Sequence, residues 1–189
     1  MRSSPDSRAA SRWSTKALAM CALFAALTAI CSQFQIAIPM VPINFALFAV
    51  HLAGALLGPK YGFISMTVYA LLGLIGAPVF SGFTSGPGVL FGKTGGYILG
   101  YILCALIVGV LSRRWGFRFP LLCAAMAIGV FVCYFFGTVW FMAVAGLDLF
   151  TSLGYCVLPF LPGDAVKILL AAGLAGKLRG PLSRSGWSV

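Results

Sequence analysis

Acidic residues are almost absent from this chain of 189 residues, which contains three aspartates, no glutamate and a single histidine. The aspartates are Asp6, Asp148 and Asp164, and this set provides neither a carboxylate pair, a Ser-His-Asp order nor an H-E-x-x-H zinc motif. Charged residues of both signs make up 8% of the chain, against about 25% in soluble domains. The composition therefore predicts an integral membrane protein and gives no support to a catalytic site or a metal site.

The stretch GPGVLFGKTGG, at residues 86–96, ends like a nucleotide-binding loop. Such a loop needs four residues between its first glycine and the Gly-Lys pair, so that backbone N–H groups surround a phosphate. Counting back from Gly92, the required position is Pro87, which has no N–H to give. The spacing argues against a nucleotide site, and Lys93 needs another explanation.

The six cysteines do not form a metal or redox motif, because they show no C-x-x-C spacing and no neighbouring histidine. They lie in or beside apolar runs, where free cysteine behaves as a small buried hydrophobe. We expect this of all six: Cys21, Cys31, Cys104, Cys123, Cys133 and Cys156.

Apolar runs are numerous, and 61% of the residues are hydrophobic. A helix that crosses the bilayer needs about 20 apolar residues, and about 17 suffice. Six blocks meet or approach this length: 17–32, 43–57, 61–75, 94–111, 121–145 and 154–176. The breaker Gly58-Pro59-Lys60 separates the second block from the third. A cleaved signal peptide is the alternative for the first block, which we interpret as a retained helix because five others follow.

Positive charge is concentrated in four places: before the first block, between the second and third, between the fourth and fifth, and after the sixth. These places hold eleven of the 13 Lys and Arg residues. The positive-inside rule then puts both termini in the cytoplasm, and it explains the net charge of +10 without a nucleic-acid partner. We predict an all-α, six-helix membrane domain at 17–176, between basic cytoplasmic tails at 1–16 and 177–189.

The connections on the other side, 33–42 and 76–92, are apolar and rich in proline or glycine. Irregular backbone near membrane depth is tolerated where protein covers it or where it lines a cavity. We predict that both connections form the lid and wall of an extracytoplasmic pocket. Flexible surface loops are the alternative.

Three charged residues lie in apolar surroundings: Lys93, Asp164 and Lys167. Charges inside a membrane are costly and mark substrate paths, and in a helix starting near Gly163 positions 164 and 167 share a face. Together the three carry one net positive charge, which suits a ligand with one carboxylate and neutral polar groups. The alternative is that Asp164 and Lys167 only neutralise each other, with Asp164 capping the helix.

Other polar residues give weaker signals. Asn44, Tyr97, Trp140 and Tyr155 either line the pocket or lie at membrane interfaces, where aromatics gather. His51 is mid-helix, which favours a helix–helix hydrogen bond over a proton relay.

Two alanine pairs on the first block, Ala22 with Ala26 and Ala25 with Ala29, have the small-x-x-x-small spacing that lets another helix approach closely. The spacing leaves open whether that helix belongs to this chain or to a partner.

Four segments, PMVPINF, GLIGAPVFSG, GKTGGYILGY and LPFLPGDAVK, occur in this order on the six-block frame. They resemble the BioY family, the biotin-binding S components of energy-coupling factor vitamin transporters, over nearly all of 17–176. The resemblance implies a compact six-helix bundle in the bacterial cytoplasmic membrane that captures biotin from outside.

By the same resemblance, Asp164 accepts hydrogen bonds from the ureido N–H groups of biotin and Lys167 donates to its polar oxygen. Lys93 is expected to bind the carboxylate, although it stands where many family members have proline. Three aromatic residues would flank the rings and chain of biotin: Phe80, Phe83 and Tyr97.

The implied partners are a transmembrane coupling protein and two ATPase subunits, with the alanine face of the first helix as the docking surface and with self-association left open. Biotin is then the cargo, and no cofactor is implied. Two rivals stand beside this hypothesis: a lipid-acting membrane enzyme that uses Asp164 and His51 as acid and base, and a small ion channel.

Overall fold

The computed structural model describes residues 14–36, 41–185 and 187. Most of the predicted N-terminal tail therefore lies outside the described residues. The elements in that part of the chain are α1 (Thr15–Gln33), β1 (Gln35–Ile36), β2 (Ile43–Asn44), α2 (Ala46–Leu74), α3 (Pro87–Leu90), α4 (Gly95–Trp115), α5 (Phe119–Ala145), α6 (Leu149–Cys156) and α7 (Leu161–Arg184). The strands β1 and β2 pair antiparallel.

Four helices are long and apolar enough to cross a membrane: α1, α2, α4 and α5. The pair α6 and α7, bent by 50° at the break between them, forms a fifth candidate. The helical, multi-pass character that the sequence predicts is thus confirmed. A single helix over 154–176 is wrong, because Pro159 and Pro162 lie at the break and proline lacks the N–H that a continuous helix needs.

The long helix α2 is folded back on itself at Gly58, which has φ 74° and ψ −179°. This conformation is open to glycine and closed to other residues. A Cβ atom built on Gly62 would lie 3.1 Å from Gly54 Cα, whereas eight residues of straight helix span about 12 Å. The break predicted at Gly58-Pro59-Lys60 is therefore confirmed, and α2 consists of two packed arms, 46–57 and 59–74.

Helix α4 packs closely against both α2 and α5 through its glycines. A Cβ atom on Gly109 would lie 2.5 Å from the Pro59 nitrogen, and one on Gly100 would lie 2.9 Å from Cys133 Sγ. Small residues allow such close backbone approach where hydrophobic burial does not drive helix association. As a result, α4 lies at the centre of the bundle.

The start of α1, the bend of α2, the α4–α5 connection and the end of α7 meet at one end of the molecule. Lys16 Nζ donates to the Ser185 carbonyl, and the Trp187 indole donates to a carbonyl at the end of the first arm of α2. The Arg179 guanidinium lies 4.1 Å from the centre of the Phe117 ring. This end carries most of the described basic residues: Lys16, Lys60, Arg113, Arg114, Arg118, Lys177, Arg179 and Arg184.

Candidate functional site

A cavity of about 360 Å³ lies at the opposite end of the bundle. It is enclosed by the start of α2, the connection before α4, the start of α4, the second half of α5 and the start of α7. Its side chains are largely aromatic and apolar, and the polar ones are Asn44, Tyr69, Ser81, Thr84, Lys93, Thr94, Tyr97, Tyr101, Tyr134 and Lys167. Both predicted connections contribute to the wall, through Val41 and Pro42 and through the stretch 80–93.

The structure brings most of the predicted site residues together. Those that line the cavity are Asn44, Phe80, Lys93, Tyr97 and Lys167, and Asp164 is bonded to Lys167. Two predicted residues are absent from the cavity lining in the described chain. Asp164 is 2% exposed and is bonded to Lys167 and Tyr134, which do line the cavity, and the side chain of Phe83 is 72% exposed.

Asp164 and Lys167 form a buried ion pair on one face of α7, with 2.6 Å between Lys167 Nζ and Asp164 Oδ1. The second carboxylate oxygen of Asp164 accepts a hydrogen bond from the Tyr134 hydroxyl on α5. The helix begins at Leu161 and its N-cap is Phe160, so the alternative in which Asp164 caps the helix is wrong on that point. Asp164 is held instead by the side chains of Lys167 and Tyr134, and both of these residues line the cavity.

Lys93 lies at the exposed side of the cavity, in the short connection between α3 and α4. The Trp140 indole N–H donates to the neighbouring Gly92 carbonyl at 2.9 Å, which ties this connection to α5. The two cations of the cavity therefore differ, because Lys93 is in contact with solvent and Lys167 is 4% exposed.

Aromatic side chains form the apolar walls. Phe80 is buried and meets Tyr69 edge-on, with ring centroids 5.6 Å apart. Tyr97 stacks with Phe160 at 6.5 Å and donates from its hydroxyl to the Cys156 carbonyl at 3.2 Å. Such rings provide flat apolar surface on which a ring-shaped ligand packs.

Asn44 joins three parts of the wall. Its Oδ1 accepts from the Ala46 N–H at 3.0 Å and from the Tyr101 hydroxyl at 3.4 Å. Its Nδ2 donates to Ser81 Oγ at 2.6 Å. One amide therefore fixes the start of α2 relative to α4 and to the connection that carries Ser81.

Sequence reasoning missed four aromatic residues of the cavity: Tyr69, Tyr101, Tyr134 and Phe160. Tyr134 had a usable signal, because a tyrosine in the middle of an apolar block needs a hydrogen-bond partner for its hydroxyl. The partner lies on a different helix, and the sequence gives no means of choosing it.

His51 is fully buried between α2 and α4, with its Nδ1 3.7 Å from Cys104 Sγ. The predicted helix–helix role is thereby confirmed. Five of the six cysteines are buried and Cys123 is half-buried, as expected of small hydrophobes.

The alanines of α1 divide between two faces. Ala25 is buried and Ala29 is half-buried, whereas Ala22 and Ala26 are exposed. Ala25 and Ala29 therefore pack within the chain, and Ala22 and Ala26 are the pair available to a partner.

Asp148 lies outside the cavity, where it is the N-cap of α6. Its carboxylate accepts from the Thr151 N–H at 3.1 Å. Hydrogen bonding with the Thr151 side chain, and then with the Thr151 N–H, holds the pKa of Asp148 below its usual range.

Comparison with known proteins identifies the family. The model of the BioY family matches residues 4–184. This chain belongs to the BioY family. The "Probable biotin transporter BioY" of Pyrococcus horikoshii is 37% identical over 87% of this chain and 97% of its own length. The "Biotin transporter BioY" of Thermotoga maritima is 35% identical over 83% of this chain and 92% of its own.

The fold agrees with that of a solved structure, the S-component for biotin from an ECF-type ABC transporter. The TM-score is 0.80 at 29% sequence identity, and the match covers 87% of this chain and 91% of the other. Family and fold comparisons thus each cover most of the chain.

Proposed function

We propose that this protein binds biotin in the cavity and takes it up across the membrane as the substrate-specific component of an energy-coupling factor transporter. The observation that carries the proposal is the ion pair of Asp164 and Lys167 at the wall of an aromatic cavity in a BioY-family fold. The volume of about 360 Å³ lies in the range of small-molecule sites, about 300–1,000 Å³. The family is one of transporters, so this chain is a transport component and not an enzyme.

In this proposal each polar group of biotin has a partner among the site residues. The ureido group both donates and accepts, so Asp164 takes its N–H groups and Lys167 donates to its oxygen. Phe80 and Tyr97 flank the ring system, with Asn44 among the polar wall residues. Lys93 pairs with the carboxylate at the exposed side. Phe83 contacts the ligand only if its exposed ring moves inward.

We also propose the topology that the charge distribution favours. The two arms of α2 cross the membrane separately, which with α1, α4, α5 and the α6–α7 pair gives six crossings. The basic end faces the cytoplasm under the positive-inside rule, and the cavity opens to the outside. The location is the bacterial cytoplasmic membrane.

The proposed partners are a transmembrane coupling protein and two ATPase subunits. Ala22 and Ala26 are exposed on α1 and permit close approach of a partner helix. The same exposed alanine face could also pack against a second copy of this chain. The proposal includes no nucleic-acid partner.

Calorimetric titration of the purified protein with biotin tests the function. We expect one biotin per chain and a dissociation constant below the micromolar range. Failure to bind at micromolar biotin contradicts the proposal. Lipid turnover that depends on Asp164 and His51, or conductance in reconstituted bilayers, would support the enzyme or the channel instead.

A further inference from the structure

The cavity wall includes a segment without regular secondary structure, 79–84, which supplies Phe80, Ser81 and Thr84. The segment turns on itself through a hydrogen bond from the Phe80 N–H to the Thr84 carbonyl at 3.1 Å. Apart from the bond that closes this turn, few backbone hydrogen bonds connect the segment to the helices. Its position over the cavity must therefore come from side chains.

Gln33, the last residue of α1, contacts this segment through both the nitrogen and the oxygen of its side-chain amide. Its Nε2 donates to the Phe80 carbonyl at 3.1 Å and lies 3.3 Å from the Val79 carbonyl. Its Oε1 accepts from the Phe83 N–H at 2.9 Å. The amide also reaches the Ala29 carbonyl at 3.1 Å, so one side chain connects α1 to three residues of the segment.

Phe83 has a left-handed backbone, with φ 56°. This conformation is unfavourable for a residue with a Cβ atom, and it persists where the surroundings impose it. The ring of Phe83 is 72% exposed, so side-chain packing does little to impose it. Two features hold it: the turn closed by the hydrogen bond from the Phe80 N–H to the Thr84 carbonyl, and the hydrogen bond from the Phe83 N–H to Gln33.

Phe80 is fixed by the same arrangement. Its ring is 2% exposed and fills the space beside Gly73, where a Cβ atom would overlap it at 2.0 Å. The carbonyl of Phe80 is bonded to Gln33, so a change at Gln33 releases the backbone of a residue that lines the cavity.

We propose that Gln33 is a positioning residue that holds the segment 79–84 over the bound ligand and so sets how fast the ligand leaves. The proposal rests on the proposed function for the identity of the ligand, biotin. It assigns no contact between Gln33 and biotin, because Gln33 acts through Phe80 and Phe83.

Two substitutions separate the hydrogen bonds from the shape of the side chain. Gln33→Met keeps the length and removes every polar contact, whereas Gln33→Glu keeps an acceptor for Phe83 and removes the donors. We expect Gln33→Met to raise the dissociation rate of biotin by about tenfold, the equivalent of one or two net hydrogen bonds. Gln33→Glu should raise the dissociation rate at least as much, because its carboxylate would face the Phe80, Val79 and Ala29 carbonyls without a donor. Association rates should change by less than about threefold in both variants.

Amide hydrogen exchange of the ligand-free protein gives a readout that general loss of stability does not mimic. In Gln33→Met, exchange should accelerate within 79–84 and stay at the parent level in α4 and α5. Thr67→Val is the matched control, because the Thr67 hydroxyl is exposed and bonds only within its own helix, at 2.9 Å to the Phe63 carbonyl. This control should reproduce the parent in both measurements.

A double-variant cycle tests the role of Phe83. Phe83→Gly allows the same left-handed backbone without a conformational penalty, so Gln33→Met should have a smaller effect in that background than in the parent. The proposal is overturned if Gln33→Met leaves the dissociation rate within twofold of the parent, or if its faster exchange spreads evenly over the helices. A parent that does not bind biotin would refute the proposed function, while the exchange experiment would still decide whether Gln33 holds the segment.

Discussion

The buried pair of Asp164 and Lys167 permits a test that separates ligand binding from structural support. Asp164→Asn removes the negative charge that accepts from Lys167 and from Tyr134. It leaves the Lys167 ammonium, which is 4% exposed, without a carboxylate partner. Lys167→Met removes the cation in turn and leaves the carboxylate held by Tyr134.

The expected magnitudes follow from burial. Removing one member of a buried pair typically costs about 3–5 kcal/mol of stability, and a hydrogen bond to a charged group contributes about 1.5–3 kcal/mol. If Asp164 also accepts from the ureido group, Asp164→Asn should weaken biotin binding by about 2 kcal/mol or more, roughly 30-fold. It should also lower the unfolding temperature.

The double variant Asp164→Asn/Lys167→Met decides between the two roles. It contains no unpaired buried charge, so we expect its unfolding temperature to recover toward that of the parent. Biotin binding should remain weak, because neither charged partner of the ureido group returns. Tyr134→Phe is the matched control, since it keeps the ring and removes one hydrogen bond to Asp164, and it should cost roughly fivefold in affinity.

Calorimetric titration with biotin and thermal unfolding in detergent measure the two quantities on the same samples. A double variant that binds biotin as tightly as the parent would refute the reasoning, because the pair would then serve structure alone.

Three further predictions concern other parts of the chain. Lys93→Ala should bind biotin and biotin amide with equal affinity, whereas the parent should bind biotin roughly threefold more tightly than the amide. The factor is small because Lys93 is exposed, and equal affinity of the parent for both ligands would contradict the prediction. Gly58→Ala should reduce the free energy of unfolding by about 1–3 kcal/mol, because Gly58 has φ 74°; Gly154→Ala, with open space around it, is the control and should be nearly neutral. Ala26→Trp should abolish co-purification with the coupling protein and leave biotin binding intact, while Val139→Trp, on the exposed face of α5, should affect neither.

The sequence predicted those features that depend on single residues or short spacings. Gly58 followed by Pro59 indicated the break in α2, because a glycine–proline step interrupts a helix wherever it lies. Asp164 and Lys167 stood out because charges are rare in apolar blocks. Their pairing follows from a spacing of three residues on one helix face.

The remaining features depend on which helices become neighbours. The hydrogen bond between Tyr134 and Asp164 joins residues 30 positions apart, and Gln33 contacts a segment almost 50 residues away. Neither contact leaves a local pattern. The position of Phe83 outside the cavity was missed for a related reason, since an aromatic residue in a wall segment points inward or outward according to a backbone angle that composition does not reveal.

The arrangement of charge also bears on how biotin is oriented. Asp164 and Lys167 neutralise each other in the buried part of the site, so this pair offers directed hydrogen bonds and little net charge. A neutral ureido group suits such a place, because burying a charged carboxylate there would add an uncompensated anion. In the proposed orientation the carboxylate would keep part of its hydration on the side of Lys93, which is exposed. The difference in burial between the two lysines therefore favours entry with the ureido ring first.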